Sequence, residues 1–124
     1  MELDGEPLVS VYCHCDDCRA VHGGAYLPAA MYRTAQTRIV RGEPRLWRRK
    51  TTARAFCGEC GTRLFAEPAE MDIRSIVAGL LPAGLFRPAF HMQCRYALAP
   101  VHDGLPHFKG TPPFFGGPDE EVGW

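Results

Sequence analysis

Residues 11–24 read "VYCHCDDCRAVHGG" and place three cysteines, Cys13, Cys15 and Cys18, within six positions. The only comparable cluster is "FCGECG" at 56–61, with Cys57 and Cys60. Thiols crowded in this way either staple a fold through a metal or hold something reactive, and the choice shapes both fold and function. The stretch also carries local structure. Cys13 and Cys15 stand at the end of a predicted strand, where residues i and i+2 face the same side, so both sulfurs can address one ion while His14 faces away. A short helix is expected to start near Asp16–Asp17, which suit a cap and first turn, and to stop at Gly23–Gly24. Cys18 then lies at the helix start, where the positive end of the helix favours thiolate. Cys-x-Cys-x-x-Cys supplies three convergent soft ligands, and zinc is their natural guest.

Working outward, the chain has 124 residues, enough for one domain, and 46% of them are hydrophobic. A core can form, and a chain this short gains from a metal cross-link. Lys+Arg and Asp+Glu both number 14, a balance that argues against general affinity for nucleic acid or an anionic membrane. No apolar run approaches the roughly 20 residues needed to span a bilayer. The start "MELDGEPLVS" has neither the basic opening nor the apolar core of a signal peptide. The expected compartment is the cytoplasm, where thiols stay reduced and six cysteines read as metal ligands or catalytic groups.

Thirteen glycines and eleven prolines break the chain often. Short apolar runs lie between them: "LVSVY" (8–12), "AYLPAAMY" (25–32), "RIV" (38–40), "RLW" (45–47), "ARAF" (53–56), "RLFA" (63–66), "IRSIVAGLL" (73–81) and "FHMQC" (90–94). That pattern predicts an all-β fold of many short strands, with one short helix near 16–22. Cys94 has no cysteine neighbour and is expected in a strand core. The tail "GTPPFFGGPDEEVGW" (110–124) is too rich in Gly and Pro for a regular element.

Cys57 and Cys60 form a Cys-x-x-Cys-Gly turn in which Gly58 and Gly61 permit a tight backbone, a zinc-knuckle pattern. Two groupings of the thiols follow. One joins Cys15, Cys18, Cys57 and Cys60 into a closed four-cysteine site, with 38 residues between the pairs and Cys13 spare. The other makes Cys13, Cys15 and Cys18 an open site with a fourth position for water or substrate. Closed sites hold folds together and open ones do chemistry. Spacing alone leans to the closed site.

The stretches "CHCDDCRAVHG" (13–23), "GEPRLWR" (42–48), "RAFCGECGTRLF" (54–65), "VAGLL" (77–81), "RPAFH" (87–91) and "DGLPHF" (103–108) resemble the glutathione-dependent formaldehyde-activating family, also called the centromere-protein-V type. The resemblance implies an Mss4-like all-β fold built around zinc, with residues 1–109 as the domain and 110–124 as a tail. It implies a carbon–sulfur lyase or synthase that joins a thiol, glutathione, to an aldehyde, formaldehyde, as S-hydroxymethylglutathione. It also implies that Cys13, Cys15 and Cys18 bind the zinc assigned to activity, and that Cys57 and Cys60 give two ligands of a separate structural zinc. The other two ligands of that zinc would come from an earlier Cys-x-Cys, but no cysteine precedes Cys13. The chain is therefore expected either to start late or to have lost them, leaving the second ion weak or absent. A rival from another class is a non-enzymatic zinc-stabilised binding or chaperone-like module.

Arg38, Arg41, Arg45, Arg48, Arg49, Lys50 and Arg54 make a basic stretch around Trp47. It reads as the solvated face of a hairpin, or, through Arg48 and Arg49, as a site for the carboxylates of glutathione. Trp47 stacking on single-stranded nucleic acid is the weaker third reading. His91 and His102 are either packed and surface residues or spare ligands and a proton relay.

Overall fold

A computed structural model describes residues 1–124. The chain is mostly β with a single short α-helix, as the density of Gly and Pro breakers predicts. In chain order the elements are β1 (Glu2–Leu3), β2 (Val9–Cys13), α1 (Asp16–His22), β3 (Leu27–Arg33), β4 (Thr37–Arg38), β5 (Arg45–Arg49), β6 (Thr52–Phe56), β7 (Arg63–Glu67), β8 (Ile73–Val77) and β9 (Pro88–Met92), with short 3-10 turns between some of them. No helix is long and apolar enough to cross a membrane.

The chain divides into two compact units. The first comprises residues 1–9 and 29–86. Its strands β5, β6, β7, β8 and β3 pair in that order, all antiparallel. A two-stranded ribbon of β1 and β4 joins Glu2 to Arg38 and Leu3 to Thr37. Period-2 alternation sends Ala30, Tyr32, Ala55, Phe65 and Ile76 into one core, with Leu3, Leu64 and Leu81 packed against it. The edge strand β5 is exposed at every residue, and its arginines discourage pairing with another chain. This is the solvated hairpin read from the basic stretch, with one correction. Arg54 on β6 is buried, and its guanidinium donates to the carbonyls of Arg49 and Thr52, tying the hairpin turn.

The second unit comprises residues 10–28 and 87–124. Here β2 pairs in parallel with β9, setting Val11 beside Phe90, Tyr12 beside His91 and Cys13 beside Met92. The far side of β9 takes a short bridge between His91 and His107, made by His91 N–H to Pro106 O and Phe108 N–H to His91 O. The tail joins this unit as well. Lys109 N–H donates to Glu120 O, and Val122 N–H to His107 O. Cys94 is buried as expected but not in a strand. The strand ends at Met92, Gln93 turns with a left-handed φ of 57°, and Cys94 opens a 3-10 turn. The run "RIV" yields only Thr37–Arg38, and "IRSIVAGLL" stops as a strand at Val77 before a 3-10 turn over Ala78–Leu80.

Candidate metal centre

Strand β2 ends at Cys13, and α1 begins three residues later, as the first stretch predicts. The cap, however, is Cys15 rather than an aspartate. Its backbone is extended, and its sulfur accepts the N–H of Cys18 at 3.2 Å. Asp16 and Asp17 occupy the first turn, and Gly23 closes the helix in the left-handed conformation at φ 81°. Cys15 thus does two jobs: it satisfies one of the helix's orphan donors and places its sulfur beside Cys18.

The three sulfurs of Cys13, Cys15 and Cys18 all lie within 4.8 Å of one another, and none is in a disulfide. Zinc–thiolate bonds of about 2.3 Å in a tetrahedron put sulfurs about 3.8 Å apart, so the set fits a metal ion with little adjustment. The ionisation of the trio points the same way. Hydrogen bonds from the Cys13 and Cys18 thiols, then the Cys18 N–H, pull Cys15 down to about 3, against burial and the charge of Asp17. Cys13 is held well above its ordinary value because its proton serves Cys15 and Cys18 and because it is buried. Alone, the cluster holds one thiolate sheltered by thiols. A bound cation would favour further deprotonation.

Cys57 and Cys60 lie in the first unit. Cys57 N–H donates to Thr62 O and Gly61 N–H to Cys57 O, both at 2.8 Å, and Gly61 has a φ of 74°, so the tight turn predicted for this stretch forms. Cys60 is exposed, and its bonds with the Thr62 hydroxyl and backbone lower its pKa. Cys57, Gly58 and Glu59 line a cleft of about 770 Å³ together with Arg41, Glu43 and Arg45. Arg48 and Arg49 are exposed on β5 and are not among its lining residues; Arg48 donates to Thr51 O across the hairpin turn.

A second constellation was only partly foreseen. His14, between the two cysteines, is buried and bonds through Nε2 to His91 Nδ1 at 2.8 Å. His91 Nε2 meets Asp103 Oδ2 at 2.6 Å, and His107 Nε2 lies 3.0 Å from Asp103 Oδ1. Trp124 packs against the rings of His14, His91 and His107, and Tyr12 and Tyr26 against His14 or His91. Burial pushes His14 down to about 4, helped by the charges of His91, His107 and Arg19. Burial alone would raise Asp103, but the bonds from His91 and Leu105 N–H and the imidazole charges hold it below its ordinary value. Burial and the charge of Asp103 push the Cys94 thiol up to about 12. His102 is exposed and outside this group. Asp103 and His107 were not singled out from sequence. Both lie in the stretch "DGLPHF" (103–108), but their spacing of four means little outside a helix.

Fold and site together define a small β protein with a three-thiol cluster that can hold a metal ion. Residues 1–96 match the family described as glutathione-dependent formaldehyde-activating enzyme, and the chain belongs to that family. A search of curated proteins finds no match. Family membership suggests glutathione-dependent formaldehyde activation, with glutathione and formaldehyde as the small-molecule partners.

Proposed function

We propose that this protein is a zinc-dependent carbon–sulfur lyase or synthase acting on a thiol–aldehyde adduct such as S-hydroxymethylglutathione, in the cytoplasm. The observation that carries the reading is the convergence of the Cys13, Cys15 and Cys18 sulfurs within 4.8 Å. Three protein ligands are the donor count of an open zinc site. In the synthetic direction the glutathione sulfur attacks the aldehyde carbon. The carbon–sulfur bond forms, the carbonyl electron pair moves to oxygen, and the thiol proton ends on that oxygen. The lyase direction reverses each move. When bound, zinc would supply a coordination position that favours the thiolate form of the substrate sulfur. Cys13, Cys15 and Cys18 would hold the ion, and the Cys18 N–H would orient the Cys15 sulfur. Cys57 and Cys60 would hold a second ion weakly or not at all. Arg48 and Arg49, both exposed, would contribute to carboxylate recognition.

The test is exchange spectroscopy on an equilibrium mixture of glutathione and formaldehyde. The zinc-loaded protein is expected to speed adduct exchange beyond the spontaneous rate. Cys13→Ser should abolish that acceleration and lower the zinc content, with modest loss of fold stability. Arg48→Ala with Arg49→Ala should weaken glutathione binding in a calorimetric titration and reduce its salt sensitivity. Zinc bound without any acceleration would favour the non-enzymatic module. Anomalous scattering that finds one ion on Cys15, Cys18, Cys57 and Cys60, with Cys13 unligated, would overturn the open site.

A further inference from the structure

We propose that His91, Asp103 and His107 form a second divalent-cation site, distinct in donor chemistry from the thiol cluster: two imidazole nitrogens, one carboxylate and no sulfur. The ligand atoms of the three residues lie within 4.8 Å of one another. His91 and His107 are bridge partners across neighbouring segments, so their rings stand side by side, with centroids 4.5 Å apart. Each presents Nε2 to a different oxygen of the same carboxylate, at 2.6 and 3.0 Å.

Protons alone do not satisfy this arrangement. His91 Nε2 can donate to Asp103 Oδ2, and His91 Nδ1 can then accept from His14 Nε2. His107 Nε2 is left over. It is buried, with the residue 3% exposed, and it makes no hydrogen bond although Oδ1 is 3.0 Å away. With a proton, this nitrogen pairs its charge with the carboxylate but makes no hydrogen bond to it. Without one, its lone pair faces an anionic oxygen. In both states a buried polar atom is left without a hydrogen bond.

A cation off the line between the two atoms removes the conflict. Ligands each about 2.1 Å from an ion sit about 3.0 Å apart at right angles and about 3.4 Å apart in a tetrahedron, so the 3.0 Å pair fits with little adjustment and the 2.6 Å pair opens by a few tenths of an ångström. His91 would then carry its proton on Nδ1 and donate it to His14 Nε2, the outer-shell bond that ligating histidines ordinarily make. The Asp103 side chain, 30% exposed, opens the site to solvent. Two imidazoles and one carboxylate suit first-row divalent ions such as zinc, cobalt and iron(II) rather than calcium.

The probe is cobalt(II), titrated into the reduced, metal-stripped full chain with bound metal measured by elemental analysis. Thiolate-bound cobalt gives intense near-ultraviolet charge-transfer bands, whereas nitrogen–oxygen ligation gives only weak visible ones. The expected result is one ion per chain beyond those that the thiolate bands report. His107→Ala and Asp103→Asn should each lose that ion and leave the thiolate bands at full intensity. If circular dichroism shows His107→Ala unfolded, His107→Gln takes its place. A wild-type protein with no ion beyond the thiolate-bound ones overturns the site. So does retention of the extra ion in both a folded His107 variant and Asp103→Asn.

Discussion

At the scale of single residues, His14 carries the clearest consequence of burial. It sits between two cysteines of the thiol cluster, but its ring belongs to the histidine chain behind them. Its pKa falls from an ordinary value near 6.5 to about 4. Between those values the unfolded chain takes up a proton that the folded chain refuses, so stability drops as pH falls from about 6.5 to about 4. Asp103 acts in a different window. Its lowered pKa contributes stability that is lost only below its ordinary value of 3.8. Denaturant midpoints of the metal-free, reduced protein at pH 7 and pH 5 should therefore differ. His14→Gln, neutral throughout, should flatten that difference. An equal slope in the variant would assign the acid sensitivity to another group.

At the scale of elements, α1 is held by its ends more than by its length. Seven residues are too few for an autonomous helix, and none of them is buried. The Cys15 cap at one end and Gly23 at the other define it. Gly23 N–H donates to Arg19 O at 2.9 Å with φ at 81°, and a Cβ there would meet nothing within 4 Å. Gly23→Ala therefore tests backbone conformation alone. It should cost about 1 kcal/mol of unfolding free energy by denaturant titration while leaving metal stoichiometry unchanged. The start, stop and strand positions around this helix were legible because capping, breaking and alternation act within a few residues. Cys94 was misplaced for the converse reason. Gln93 takes a positive φ that its residue type does not advertise, and the strand ends two positions before Cys94.

At the scale of the whole molecule, positive and negative side chains balance, and the isoelectric point is about 6.9. With little net charge near neutrality, self-repulsion is weakest there. Solubility in a precipitant titration should pass through a minimum near pH 7 and rise on either side. A flat profile from mildly acidic to mildly alkaline pH would mean that specific contacts, not net charge, govern association.

What the sequence determined by itself is local. The spacing of Cys13, Cys15 and Cys18 brings three sulfurs together because a strand end followed by a capped turn leaves them nowhere else to go. The breakers exclude long helices, and alternation marks the strands. The tertiary structure alone decided which distant groups meet. His14, His91, Asp103 and His107 gather because β9 lies parallel to β2 and because residues 106–108 bridge to its other side. Trp124 reaches their rings because the tail is hydrogen-bonded back onto residues 107–109. Arg54 is buried while its neighbours in the basic run are solvated, and its guanidinium is held on the carbonyls of Arg49 and Thr52. The histidine cluster depends on pairings between segments far apart in the chain, and no run of neighbouring residues encodes it.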